Sequence, residues 1–181
     1  MKEKLALGLA AILTAGSLYL VPSWQGALTD PCHLAGLFSA ATIVLLVVTR
    51  HLGRRGIVVE RRVLAIFLAG MPLIYVASWL STRSPGAGSG WLWVEIAAIP
   101  LYSVLALLGL TRSPWFLAAG IVAHGVAWDS WHYFTKTAYI PAWYAVGCFL
   151  VDVGLGVYIA TRIPVWQRAD APQFAKIAKI A

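Results

Sequence analysis

Residues 91–110 read WLWVEIAAIPLYSVLALLGL, an unbroken apolar run whose one charged residue is Glu95. A helix rises about 1.5 Å per residue, so a run of roughly 20 residues crosses the ~30 Å hydrocarbon core of a bilayer. Working outward, five further runs have the same character: Leu5–Pro22, Leu34–Val48, Val63–Leu80, Pro114–Phe134 and Ala142–Ile159. The second is short and is expected to extend into its flanks. Hydrophobic residues make up 60% of the 181 and charged ones 12%. A soluble domain carries about 25% charged residues, so the chain lacks about half the charge that a solvated surface needs. The mean hydropathy is +0.78. Disorder, a coiled coil and an ordinary water-soluble domain are excluded. The expected fold is all-α, a six-transmembrane-helix bundle over residues 1–163 with a short basic cytoplasmic tail over 164–181 that can lie on the inner leaflet as an interfacial helix.

The net charge of +7 would suggest nucleic acid in a soluble chain, but position gives it another meaning. If successive loops alternate sides, Lys2, Lys4, Arg50, Arg54, Arg55, Arg61, Arg62, Arg112, Arg162, Arg168, Lys176 and Lys179 share one side. Arg83 and Lys136 fall on the other. This positive-inside asymmetry puts both termini in the cytoplasm of a multi-pass protein of the bacterial inner membrane, with lipids rather than nucleic acid as its surroundings. Lys2 and Lys4 before the first run resemble a signal peptide, but no small-x-small cleavage site follows, so the run is read as a span. Arg50–Arg62 is read as a cytoplasmic loop that anchors the topology and touches anionic headgroups. Residues 84–90 (SPGAGSG) are read as a flexible outer loop.

An ionisable side chain within a bilayer costs about 2.5–3.5 kcal/mol on insertion scales, so each one needs a reason. Glu3, Asp30, Glu60 and Asp170 lie outside the expected spans, whereas Glu95, Asp129 and Asp152 lie inside the fourth, fifth and sixth. The fifth span also holds His124 and His132 in the stretch HGVAWDSWH. On ideal helices Glu95, Asp129 and His132 form a shallow tier, roughly 3–7 Å from the outer end, and His124 and Asp152 a deep one, roughly 15 Å in. His124 and His132 stand about 12 Å apart along such a helix, too far for one ion with bonds near 2.1 Å. Asp129 and His132 at i,i+3 share a face. A divalent metal would therefore take Glu95, Asp129 and His132, with His124 and Asp152 as a supporting pair. Local unwinding at Gly125 is the alternative that would bring His124 closer. Metal-free proton transfer and plain mutual satisfaction of buried charges are the competing readings, since no H-E-x-x-H or Cys-x-x-Cys spacing is present.

Of nine tryptophans, Trp24, Trp91, Trp115, Trp143 and Trp166 fall at span ends as an aromatic belt. Trp93, Trp128 and Trp131 fall near the acids, where their π faces would suit a cationic intermediate. Cys32 and Cys148 share the outer half, where a disulfide is permitted, although Cys148 also reads as a small packing residue. Tyr75 and Tyr102 are further hydrogen-bonding candidates.

Trp93 with Glu95, HGVAWDSWH from His124 to His132, Pro141, and GCFLVD from Gly147 to Asp152 carry a resemblance over Trp91–Ile159. That stretch resembles a family of small bacterial and fungal membrane proteins known as a domain of unknown function. The resemblance implies that Glu95, His124, Asp129, His132, Cys148 and Asp152 matter, and it implies no activity. From the chemistry, the leading expectation is an enzyme acting on a lipid-like or isoprenoid substrate by acid/base or metal-assisted chemistry at Glu95, His124, Asp129, His132 and Asp152. Membrane isomerases and terpene cyclases combine carboxylates and tryptophan in a comparable style without sharing a motif. The alternatives are a non-catalytic accessory subunit or assembly factor of a larger membrane complex, and a proton-coupled carrier.

Overall fold

A computed structural model describes Gly8, residues 30–82 and residues 89–177. The first expected span (Leu5–Pro22), Trp24, Arg83 and residues 84–88 of the outer loop lie outside the described residues. Every described element is helical. They are α1 (Pro31–Thr49), α2 (Gly53–Thr82), α3 (Ser89–Thr111), α4 (Trp115–Ala123), a π-helical segment (His124–Asp129), α5 (Ser130–Thr135) and α6 (Ala142–Ile177). Four of them, α1, α2, α3 and α6, are long and apolar enough to cross a membrane, which is consistent with a membrane protein. The stretch from α4 to α5, expected as the fifth span, is divided by the π segment. The all-α expectation is met; the count of six rests on the run outside the described residues.

Local sequence sets the helix ends. The Asp30 side chain accepts from the backbone N–H of Cys32, at 2.7 Å, and of His33. Together with Pro31 in the first turn it starts α1 three residues before the apolar run does. Lys136, with φ of 51°, ends α5 in the left-handed region and turns the chain toward α6.

Among the described residues, neighbour relations arrange these helices as an incomplete ring. α2 packs on α1 and α3, α4 joins α3 to α6, and α6 returns to α1 through a thin contact. The core inside this ring includes Leu64, Leu68, Leu117, Ile121, Leu155 and Ile159, all fully buried. Large apolar side chains such as Leu45, Ile66, Leu107 and Val157 point outward, as expected of surfaces solvated by lipid. Close helix approach relies on small residues: Val122 of α4 occupies the space that a side chain on Gly156 of α6 would need.

Two expected boundaries require correction. Arg50–Arg62 is a connection only through Leu52, and α2 begins at Gly53. The apolar run at Val63 marks where α2 enters the core, since a 30-residue helix of about 45 Å outruns the hydrocarbon. Likewise the expected tail helix is continuous with α6. These basic extensions meet at one end of the bundle, where Arg54 Nη2 donates to Ala169 O at 2.6 Å and Arg61 Nη2 to Leu110 O at 3.1 Å.

The same end holds a buried ion pair. Glu60, expected on an exposed loop, is 1% exposed. Arg162 donates to both of its oxygens, Nε to Oε1 at 2.8 Å and Nη2 to Oε2 at 2.9 Å. Trp166 Nε1 donates to Oε2 at 3.0 Å, and the Tyr158 hydroxyl donates to Oε1. Arg162 and Trp166 are therefore corrected from topology marker and belt residue to partners of Glu60, and the reason is the length of the two helices that carry them. Removing one partner of such a pair strands the other charge, at about 3–5 kcal/mol. Glu60→Ala should lower the thermal unfolding midpoint of the detergent-solubilised protein sharply, and in a double-mutant cycle Arg162→Met should add little further loss. Full additivity would mean that the pair is not energetically coupled.

Candidate functional site

On an α-helix, residues five apart are about 140° out of phase, so His124 and Asp129 would face different neighbours. Across residues 124–129 the backbone is instead bonded i to i+5, and the Ser130 N–H reaches Gly125 O. This wider turn stacks residues five apart on one face, and such π segments recur at functional sites. It brings Asp129 round to His124. From α6, Asp152 completes the cluster: His124 Nδ1 lies 2.8 Å from Asp152 Oδ2 and 3.7 Å from Asp129 Oδ1. Suitable ligand atoms of the three all lie within 4.8 Å of one another.

Gly125 makes this proximity possible. A Cβ built there would come within 2.8 Å of the Asp152 Cβ, a distance that real side chains do not tolerate. From α2, the Tyr75 hydroxyl donates to Asp129 Oδ1. Its ring, together with that of Tyr102 on α3, packs edge-on to the His124 imidazole. His124, Asp129 and Asp152 are each at most 1% exposed. Even so, His124 Nε2, Asp129 Oδ2 and Asp152 Oδ1 have no hydrogen-bond partner.

Toward the outer end stands a second cluster. Glu95 of α3 accepts from Tyr139 OH at 2.6 Å on Oε1 and from Trp128 Nε1 at 3.1 Å on Oε2. His132 Nε2 lies 3.0 Å from Glu95 Oε1, an ion-pair distance off the line of a hydrogen bond. His132 Nδ1 pairs with Thr137 Oγ1 at 2.9 Å. The His132 ring stacks on Tyr75, centroids 4.6 Å apart, so one tyrosine touches both clusters.

All five expected site residues are therefore buried and near one another, but their grouping differs from the ideal-helix reading. Asp129 stands with His124 and Asp152, and Glu95 pairs with His132. The π turn is the cause: it turns Asp129 to His124 rather than carrying His124 toward Glu95 and His132. Cys32 and Cys148 are both free, and the Cys32 thiol lies 3.4 Å from the Ser78 hydroxyl. Trp128 reaches Glu95 as expected, whereas Trp93 is 67% exposed and points away. Tyr139 and Thr137 were not legible: they follow the motif across the Lys136 turn, and their spacing carries no signal. Burial, then the hydrogen bond to Glu95 and its charge, pushes the Tyr139 phenol up from its ordinary value near 10. Its stabilising contribution is therefore intact at neutral pH and is lost only as the pH climbs past 10.

A narrow apolar cleft of about 30 Å³ lies at the α1–α6 seam and is lined by Ala35, Phe38, Ser39, Phe67, Gly70, Met71, Ile74, Tyr144, Cys148 and Val151, with His124 and Asp152 in its wall. A site of that volume accepts one or two waters, or an ion. A larger polar pocket of about 270 Å³ lies at the outer end between Asp30, Cys32, Ser78, Ser81, Thr82 and Tyr139.

No protein-family model, curated protein or solved structure matches the chain. The site must be read from its own chemistry.

Gly125→Ala should overpack the π turn against Asp152 and cost about 1–3 kcal/mol. At the exposed neighbour, Val126→Ala should stay within about 0.5 kcal/mol of wild type. Equal unfolding midpoints for the two variants would show that the close approach at Gly125 does not matter.

Proposed function

We propose that this protein is a multi-pass enzyme of the bacterial inner membrane, with both termini cytoplasmic, that acts on a lipid-like or isoprenoid substrate at His124, Asp129 and Asp152. One observation carries the reading: a His–Asp pair stands in the wall of an apolar cleft between α1, α2 and α6, a cleft of about 30 Å³ that would have to widen at the α1–α6 contact to take such a substrate. A hydrophobic molecule reaches such a site sideways from the bilayer without shedding a hydration shell, whereas a sugar or nucleotide would lose many hydrogen bonds. In this reading Asp152 fixes the His124 imidazole through Nδ1, and His124 carries the proton to or from the substrate. Asp129, held by Tyr75, supplies the adjacent negative charge. Glu95 and His132, already bonded to Trp128, Tyr139 and Thr137, serve as a positioning network that holds the π turn from above.

General acid–base groups contribute about 10²–10⁴-fold to rate. Wild type reconstituted in nanodiscs with lipids extracted from bacterial membranes should form a product visible by mass spectrometry. His124→Gln and Asp152→Asn should reduce its formation by about 100-fold or more, and the outward-facing Trp93→Phe should not. Identical lipid profiles for wild type and both site variants would remove the enzyme reading. Co-purification of a stoichiometric membrane polypeptide would then put an accessory subunit in its place.

A further inference from the structure

The three acidic clusters of the described bundle differ in one respect. Glu60 faces a guanidinium and two further donors, and both of its oxygens are bonded. Glu95 faces His132, and both of its oxygens accept from a phenol or an indole. Asp129 and Asp152 lie side by side with one imidazole against both, and among the described residues no Lys or Arg is paired with either. One oxygen of each is buried with no donor. Two carboxylates in contact away from water need a proton or a cation between them.

We propose that His124, Asp129 and Asp152 bind one divalent first-row transition ion, of which Zn²⁺ is the type, at the site assigned above to lipid chemistry. The inference rests on that assignment for its purpose but not for its geometry; with the ion bound, the His124 Nδ1–Asp152 hydrogen bond gives way to ligation by both groups. A tetrahedral ion with bonds of about 2.1 Å holds its ligand atoms roughly 3.4 Å apart. The distances from His124 Nδ1, 2.8 Å to Asp152 and 3.7 Å to Asp129, bracket that value. Two carboxylates and a neutral imidazole exactly cancel the charge of a divalent ion, which removes the cost of burying the acids. Imidazole among the ligands favours a transition ion over Mg²⁺ or Ca²⁺, which take oxygen. Three protein ligands leave a position open, and the cleft beside His124 and Asp152 has room for the water that would fill it. Tyr75 is the outer partner: it donates to Asp129 Oδ1, the oxygen 3.7 Å from His124 Nδ1, and so sets the position of that carboxylate against the ion.

The test uses the full chain purified in detergent, stripped with chelator and titrated with Zn²⁺ and with Co²⁺ as a spectroscopic probe. Wild type and the outward-facing Trp93→Phe should each take up one ion per chain, and Co²⁺ should show visible d–d bands of low symmetry. Asp129→Asn and Asp152→Asn should weaken binding by more than about 100-fold, and the positioning variant Tyr75→Phe by about 10–100-fold. Zn²⁺ should raise the unfolding midpoint of wild type but not of Asp152→Asn. No stoichiometric ion in wild type, or equal loss on Trp93→Phe and Asp152→Asn, overturns the assignment. Should the aspartate variants fail to fold, the wild-type stoichiometry and the Tyr75→Phe affinity decide. Metal bound without lipid turnover leaves the site standing and removes the enzyme reading. Turnover that persists in stripped protein keeps the enzyme and removes the ion.

Discussion

A carboxylate inside an apolar bundle has to be neutralised where it stands, and the rest of this structure follows from how that is done. Glu60 obtains a guanidinium from a helix that is some hundred positions away in sequence, so α2 and α6 must extend past the hydrocarbon and cross at one end. Glu95 obtains an imidazole, an indole and a phenol from the last pass-and-a-half of the chain, which ties the outer end of α3 to the turn after α5. These two clusters clamp the bundle at opposite ends. Between them lie the two aspartates whose needs the protein's own donors do not meet.

The π turn is what separates the closed cluster from the open one. Without its extra residue, Asp129 would rotate away from His124 and, at i,i+3 from His132, toward the Glu95 network. The wider turn costs backbone regularity. It is supported by the fit of Gly125 against Asp152 and by Tyr75, whose hydroxyl holds Asp129 while its ring supports His132. One tyrosine on α2 thus couples the position of the outer cluster to that of the deep one. A side chain in that role is fully buried for a physical reason: water at its hydroxyl would compete for the carboxylate it fixes.

Most of the architecture was legible because apolar runs have one interpretation at this length. The runs at Trp91 and Ala142 reappear as α3 and the start of α6 within a few residues. What misled was equating polarity with exposure. Arg50–Arg62 and the end of α6 look like loop and tail by composition, yet helix continues where hydrocarbon stops, and Glu60 and Arg162 are buried there by each other. The identities of the site residues were legible from rarity alone, since each acid within an apolar run stands out. Their grouping was not, because it depends on a change of helical period at His124–Asp129 that no residue in HGVAWDSWH announces beyond a single glycine. Tyr139 was invisible for a related reason: its contact with Glu95 is made by the left-handed turn at Lys136, not by any periodicity.

Access to the deep cluster follows from the incomplete ring. On the seam side, α1 presents Ala35 and Ser39 toward Tyr144, Cys148 and Val151 of α6, and these short side chains leave the gap that has His124 and Asp152 in its wall. The larger α1 residues Leu34, Leu37 and Leu45 turn outward instead. On the outer side, a pocket rich in hydroxyls lies above Tyr139 and Cys32. In the proposed reading an apolar reactant would enter sideways through the seam, and a polar one, such as a proton, a water or an ion, from the end. Closing the seam with larger side chains would stabilise the ring by burying more apolar surface. Among the described residues the thin α1–α6 contact lies beside the acidic cluster that its own donors satisfy least, and in the proposed reading that is the cost of keeping an opening there.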